Sequence, residues 1–167
     1  VFLTNDPYSC NGAVSHLNDW LMMMPIYIDG RLVAWAAMFG HMTDIGGKVP
    51  GSLPTDAAQV FEEGIQVPPV KIIRNGELNT EILELILRNC RLPDWNRSDF
   101  NALVAALRLA ERRVLEMANR FGVDELVVAM VEMLDRNKRA MGAILNMVIP
   151  EKKQHFEDYI DDDGMGM

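Results

Sequence analysis

His16 and His41 are each followed, three residues later, by an aspartate. His16 precedes Asp19 in the segment SHLNDW, and His41 precedes Asp44 in the segment GHMTDIGG. Imidazole and carboxylate groups together suit borderline-to-hard divalent ions such as Zn, Mn or Fe(II). Two histidines and one carboxylate also leave coordination positions open for water or substrate, as catalytic metal sites do. The residue types and their spacing therefore indicate a candidate divalent-metal site.

A β-hairpin must position these side chains if they are to meet. Two apolar segments of strand length flank an Asp-Gly pair, which is a strong hairpin signal; they lie at 22–28 and 31–38, around Asp29 and Gly30. A hairpin brings the residues before its first strand close to those after its second, so His41 returns beside His16 and Asp19. Residues i and i+3 of a strand point to opposite faces, so a turn is expected around His16. We predict that His16, Asp19 and His41 are the metal ligands.

Asp44 is predicted to be a catalytic carboxylate of the same site. As a hydrogen-bond acceptor for the ring of His41 it would orient that ligand. The alternative is that Asp44 only caps the glycine-rich loop that follows it. A second alternative is that the histidines are hydrogen-bonded structural residues. The spacing alone does not decide between this role and metal binding. The third histidine, His155, is predicted to lie on the solvent face of a late strand.

The order of patterns along the chain predicts an α+β fold. Strands and glycine-rich loops come first: the hairpin, a short helix at 56–63, and a strand before the turn at Asn75 and Gly76. The second half is helical, with helices expected from Asn79 to about Asn89, from Ser98 or Asp99 to Phe121, and from Asp124 to about Met147. Apolar residues recur every three or four positions in these helices, which predicts that the helices pack against one another.

The same patterns divide the chain into three regions. Residues 1–78 form a strand and loop region that contains the candidate metal site, residues 79–150 form a helical region, and residues 151–167 begin a further strand segment. The first residues, Val-Phe-Leu-Thr, and the last, DYIDDDGMGM, both look cut through structure. We therefore expect one incomplete domain, a fragment of a larger chain.

The composition excludes several classes of protein. The formal net charge of −8 argues against a sequence-independent nucleic-acid binder and against docking on anionic lipid. No apolar run approaches the roughly 20 residues of a membrane-spanning helix. Cys10 and Cys90 form neither a disulfide framework nor a CxxC pair, so the cytoplasm is the expected compartment. The sequence contains no GxSxG, HExxH or Walker motif.

Five motifs, in their order along the chain, resemble the hydantoinase B/oxoprolinase family. They are TNDPY with SHLNDW, GHMTDIGGKVPGS, FEEGIQVPPVKIIRNGELN, LILRNCRLPDWNRSDF and LAERRVLEMANRFG. The resemblance covers nearly the whole chain. The family includes the B subunit of N-methylhydantoinase, the corresponding half of 5-oxoprolinase, and the large metal-bearing subunit of acetone and acetophenone carboxylases. Its members are several times longer than this chain.

The resemblance implies an ATP-dependent reaction that is shared with a partner A-type subunit. The partner would phosphorylate the carbonyl or enol oxygen of a small-molecule substrate, and the B-type subunit would then complete ring opening or carboxylation. In the carboxylase members a His-x-x-Asp pair and a later His hold a metal, and these positions fall on His16, Asp19 and His41 here. The resemblance thus implies a hetero-oligomer, a divalent metal (Mn, Zn or Fe) and ATP used by the partner.

Three functions remain open from the sequence. The segment EEGIQVPPVKII is closer to hydantoinase-type members, which favours the hydrolysis of a cyclic amide of the hydantoin or oxoproline kind. The alternative enzyme is an ATP-dependent ketone carboxylase of the acetone or acetophenone type. The third alternative is an inactive subunit that serves only as an assembly module for its partner.

Overall fold

A four-stranded antiparallel sheet organises the first part of the chain in the computed structural model, which describes residues 1–149, 152–153 and 155–157. Its strands lie in the order β3-β2-β1-β4: β1 Phe2–Thr4, β2 Asp19–Ile28, β3 Arg31–His41 and β4 Val70–Lys71. Two further strands, β5 Ile73–Arg74 and β6 Glu77–Leu78, form a separate hairpin. The helices follow the strands, and the predicted α+β class is confirmed.

The predicted hairpin between β2 and β3 is confirmed, and both strands are longer than expected. Asp29 and Gly30 have φ angles of 49° and 78°. Positive φ at both central residues is typical of the type I′ turn, whose twist matches that of the flanking strands. The antiparallel register runs from Ile28 opposite Arg31 at the turn to Asp19 opposite His41 at the open end. Between these ends it shifts by one residue at Val33, which is skipped in the pairing.

Three α-helices make up most of the rest: α1 Thr80–Arg88, α2 Pro93–Phe121 and α3 Val123–Val148. Asn79 caps α1 as predicted, because its side chain accepts a hydrogen bond from the Ile82 N–H at 3.2 Å. The prediction that α2 begins at Ser98 or Asp99 is wrong. The helix starts at Pro93 because proline lacks the N–H that would be unpaired in a first turn.

The predicted helix at 56–63 is also wrong, since only a single 3₁₀ turn, Val60–Glu62, forms there. The carboxylate of Glu62 accepts hydrogen bonds from the N–H groups of Ala58 and Gln59, so it closes the turn before a longer helix can begin. The single strand expected before Asn75 is likewise divided into β4 and β5.

The chain divides into two compact units, Val1–Val114 and Leu115–Met167. In the first unit the sheet and the helices share a core that includes the predicted buried stripe of α1; its fully buried members are Leu3, Leu17, Trp20, Met22, Ile26, Met42, Ile45, Ile72, Leu83, Ile86, Leu87, Phe100 and Leu107. In α3 only Leu126 is buried among the described residues. Leu134, Met141 and Leu145 are exposed, so the predicted helix–helix packing is wrong for these positions.

The third predicted region, residues 151–167, is described only in part. Most of the segment 151–167 lies outside the described residues, and residues 152–153 and 155–157 form no strand. His155 is exposed, as expected for a solvent-facing residue. Among the described residues, no helix has the length and apolar character that crossing a bilayer requires.

Candidate metal centre

Two of the predicted ligands face each other across the open end of the hairpin. Asp19 is the first residue of β2 and His41 is the last residue of β3, and their Cα atoms are register partners. Residues directly opposite in an antiparallel pair have Cβ atoms about 4.5–5.5 Å apart. Counted from the turn without interruption, the ladder would place Gly40 opposite Asp19. The register shifts by one residue at Val33, so the turn and this shift together bring the side chains of Asp19 and His41 into register.

His16 joins them from the turn that leads into β2. The Asp19 N–H donates to the His16 carbonyl oxygen at 3.2 Å, which closes the turn expected from the sequence. Between them, Asn18 is buried, and its side chain donates to the carbonyl oxygens of Met42 and Gly51 at 2.8 and 3.1 Å. Asn18 thus ties the His16 turn to the segment that follows His41.

The three donor atoms form a nearly equilateral triangle. The Nε2 atom of His16 lies 3.1 Å from the Nδ1 atom of His41. The Oδ1 atom of Asp19 lies 3.2 Å from the Nε2 atom of His16 and 3.1 Å from the Nδ1 atom of His41. The structure therefore brings together the three residues that the sequence selected.

The donor set fits a divalent ion. Neighbouring ligands on an ion with bonds of about 2.1 Å are roughly 3.0 Å apart at a right angle and roughly 3.4 Å apart at a tetrahedral angle. The observed separations of 3.1–3.2 Å fall between these values. Hydrogen bonding suits the triangle less well. If the rings of His16 and His41 both donated an N–H to Asp19, their two hydrogen atoms would be crowded together, because the two nitrogens are only 3.1 Å apart. A cation would instead attract the lone pairs of both nitrogens and of the Asp19 oxygen.

The centre is open to solvent on one side. The side chains of His16 and His41 are 36% and 46% exposed, and that of Asp19 is 16% exposed. A pocket of about 280 Å³ adjoins His16. A structural metal site is closed by four protein ligands, whereas a catalytic site keeps positions free for water or substrate. Three donors on an exposed edge match the second arrangement.

Asp44, the predicted catalytic carboxylate, is buried in the loop after His41. Its carboxylate accepts hydrogen bonds from the N–H groups of Gly46 and Gly51 at 2.9 Å, and from the backbone and guanidinium of Arg91. Burial alone would raise the pKa of this carboxyl, but the hydrogen bonds outweigh burial and hold the pKa below its usual value. This is the loop-capping arrangement, and a catalytic role for Asp44 stays a prediction.

The loop that Asp44 organises is tightly packed at Gly46. A Cβ atom on Gly46 would lie 2.1 Å from the Asn89 carbonyl oxygen, and the residue has φ +85°. We expect Gly46→Ala to lower the free energy of unfolding by about 3 kcal/mol or more, measured by urea denaturation. Gly51 is the matched control, because its φ is +84° but nothing lies within 4 Å of the position that a Cβ atom would take. Gly51→Ala should lose only about 1–2 kcal/mol; equal losses would contradict the packing argument.

Several residues that hold the site were missed by sequence reasoning. Asn5 is buried in the TNDPY turn, and its side chain donates to the carbonyl oxygens of Leu17 and Ile65 and accepts from the Val67 N–H. It therefore fixes the backbone next to His16. Arg91 was missed as the partner of Asp44. Neither has a sequence signal beyond its residue type, because both act through contacts distant along the chain.

An α+β chain with two imidazoles and a carboxylate on an open hairpin end is of the class that can hold a catalytic divalent ion. The chain matches the sequence profile of the hydantoinase B/oxoprolinase family over residues 1–167. It belongs to that family, which confirms the resemblance of the sequence motifs.

Known relatives support the assignment over much of the chain. The caprolactamase subunit beta of Pseudomonas jessenii is 34% identical over 167 residues, which are 100% of this chain and 28% of that protein. The crystal structure of the ATP-dependent caprolactamase from the same organism superposes with a TM-score of 0.74 at 35% identity, over 84% of this chain and 24% of that one.

A second solved structure has a different activity. The nucleotide-free structure of acetone carboxylase, which performs ATP-dependent acetone carboxylation, gives a TM-score of 0.70 at 25% identity. It covers 75% of this chain and 16% of the carboxylase chain. The present chain thus spans only about a quarter, or less, of the length of these relatives.

Proposed function

We propose that His16, Asp19 and His41 hold a divalent ion (Mn, Zn or Fe) and that the chain belongs to a B-type subunit that hydrolyses a cyclic amide. The observation that carries the proposal is the triangle of donor atoms with edges of 3.1–3.2 Å on an exposed hairpin end. The match to a caprolactamase beta subunit, whose solved enzyme is ATP-dependent, supports the choice of a cyclic amide.

The proposed reaction opens the ring with water. A new bond forms from the water oxygen to the amide carbon, the ring C–N bond breaks, and the nitrogen leaves with a proton. A divalent ion bound at the triad supplies Lewis acidity for the oxygen that gains negative charge. Other residues of the chain hold the candidate ligands in position. Asn18 and Asn5 fix the turn that carries His16, and Asp44 fixes the loop that follows His41.

The ATP is proposed to act in an A-type partner subunit that phosphorylates the amide oxygen while the ring nitrogen keeps its proton, which makes the protein a hetero-oligomer. When water has added and the C–N bond has broken, the product is an acyl phosphate, and a second water molecule hydrolyses it to the carboxylate and inorganic phosphate. Support comes from the Pseudomonas jessenii relative, which is a subunit beta of an ATP-dependent enzyme. We propose the cytoplasm as the compartment of the protein. Cys10 and Cys90 are both free thiols, as is usual where the surroundings are reducing.

Ketone carboxylation is the second candidate function. The likeness to acetone carboxylase favours it, because a Lewis acid beside an activated oxygen serves either reaction. An assembly module without activity is the third candidate. These candidates differ in which substrates stimulate ATP consumption.

The test is to co-express the full-length protein with an A-type subunit and to measure ADP release with caprolactam, hydantoin, 5-oxoproline, acetone or acetophenone. We expect a cyclic amide to raise ADP release at least about tenfold above the rate with the A-type subunit alone. Stimulation by the ketones instead would establish the carboxylase alternative. No stimulation by any substrate would favour the assembly module.

A further inference from the structure

A pocket beside the candidate metal centre has the size and lining of a small-ring binding site. Its volume is about 280 Å³, near the lower limit for small-molecule sites. Its wall combines apolar groups with a few polar ones, namely His16, Ser52, Leu53, Pro54, Thr55 and Glu63. Because His16 belongs both to this wall and to the donor triangle, a molecule in the pocket lies next to the triad.

Glu63 is the acidic residue of this wall, and its charge is not neutralised. One carboxylate oxygen, Oε2, accepts a long hydrogen bond of 3.4 Å from the Leu17 N–H. No described lysine or arginine pairs with Glu63, whereas the neighbouring Glu62 forms an ion pair with Lys48. Glu63 is half-buried, so it presents an acceptor to the pocket without a competing cation.

A ring amide is complementary to such a wall. In rings of five to seven members the amide bond is cis, so the N–H and the carbonyl oxygen point to the same side of the ring. A carboxylate in the pocket wall and a cation site that adjoins the pocket at His16 can bind these two groups together. The remaining ring atoms are methylenes, which suit the apolar side chains of Leu53 and Pro54.

We propose that this pocket binds the ring of the substrate and that Glu63 accepts the hydrogen bond of the ring N–H; this proposal rests on the proposed function. The amide oxygen then faces the triad, while Leu53 and Pro54 contact the methylenes. A ketone has no N–H to donate, so Glu63 is the residue that selects cyclic amides over ketones of the same shape. A site built to hydrogen-bond a substrate N–H discriminates strongly against an analogue that lacks it.

The test uses three rings of similar size in ligand-observed NMR titrations of the Zn²⁺-loaded full-length protein. ε-Caprolactam carries the N–H, N-methylcaprolactam blocks it, and cycloheptanone replaces it with a methylene. We expect caprolactam to bind at least about tenfold more tightly than either analogue, because a hydrogen bond to a charged acceptor is involved. Equal affinities for the three rings would overturn the proposal.

Two substitutions locate the preference. Glu63→Gln removes the negative charge and replaces one acceptor oxygen with an NH₂ donor, so the ring N–H loses its charged acceptor and the tenfold preference should disappear. Glu62→Gln is the matched control, because Glu62 contacts Lys48, and it should keep the preference. Leu53→Trp changes an exposed side chain of the wall and should weaken the binding of all three rings about tenfold. A preference that survives Glu63→Gln, or binding unchanged by Leu53→Trp, would overturn the proposal.

Elemental analysis of the same samples separates this proposal from the proposed function. If the unsubstituted protein retains no Zn²⁺ while caprolactam still binds with the Glu63-dependent preference, the metal site fails and the pocket assignment stands. If Zn²⁺ is retained in every variant but the rings do not differ in affinity, the metal site stands and the pocket assignment fails.

Discussion

The purified His16→Ala protein is expected to retain less than about one-tenth of the divalent metal that the unsubstituted protein binds. Loss of a group that merely orients a ligand lowers metal affinity 10–100-fold, so loss of one of three ligands should lower it at least as much. Metal content per chain, measured by elemental analysis after dialysis, checks the result. Activity with a cyclic amide should fall with the metal content.

His155→Ala is the matched control for this experiment. His155 is exposed and lies outside the donor triangle, so its removal should leave the metal content unchanged. His16 is half-exposed and its ring contacts the other two members of the triangle, so circular dichroism should show the fold intact in both variants. Equal metal in the His16→Ala and unsubstituted proteins would remove His16 from the site.

Asp44→Asn is expected to lower the free energy of unfolding by about 2–4 kcal/mol, measured by urea denaturation. Breaking a buried ion pair costs about 3–5 kcal/mol, and the partial exposure of Arg91 reduces that figure. An asparagine also offers one acceptor oxygen to four N–H donors and turns an NH₂ group toward one of them. Glu84→Gln, which breaks an exposed pair with Arg97, is the control and should change stability by less than about 1 kcal/mol.

The pH dependence of this difference follows from the lowered pKa of Asp44. A carboxyl whose pKa is lower in the folded than in the unfolded protein contributes full stability above the unfolded value of about 3.9. That contribution is lost as the pH falls through the folded-state pKa. The stability gap between the unsubstituted protein and Asp44→Asn should therefore be constant at neutral pH and shrink below about pH 4. A gap that widens toward acid would contradict the role of the ionised carboxylate.

The same variant tests the predicted catalytic role of Asp44. If Asp44 acts by holding the loop, the folded Asp44→Asn protein should keep its metal and its KM, and activity should follow the folded fraction. A fall in kcat of about 100-fold in protein that is folded and loaded with metal would instead assign Asp44 to the reaction itself.

The sequence predicted the hairpin and the meeting of the three candidate ligands for a local reason. The Asp29-Gly30 pair favours positive φ at both positions, and the antiparallel ladder then brings the two ends of the hairpin together. The one-residue shift of the register at Val33, which puts His41 rather than Gly40 opposite Asp19, was not predicted.

The start of α2 at Pro93 was missed although proline at a first helical position is a sequence signal, because Ser98 and Asp99 offered cap residues further along. The short turn at Val60–Glu62 was not predicted, because it depends on hydrogen bonds to Glu62 that form only in the folded loop.

The residues that support the site could not be predicted, and neither could the surroundings of α3. Asn5 reaches partners about 60 residues away, and Arg91 reaches Asp44 across 47 residues, so their roles exist only once the chain is folded. The spacing of Leu134 and Met141 correctly indicates an apolar side of α3, but periodicity does not say what covers it.

The pairing of Asp19 with His41 has a consequence for when an ion can be captured. The unfolded chain keeps only His16 and Asp19 close together, while His41 is separated from Asp19 by the entire hairpin. A slip of the ladder by one residue would turn the imidazole of His41 to the opposite face and abolish chelation. Tight loading of the proposed ion must therefore follow hairpin closure, and its occupancy would act as a sensor of correct strand alignment during maturation.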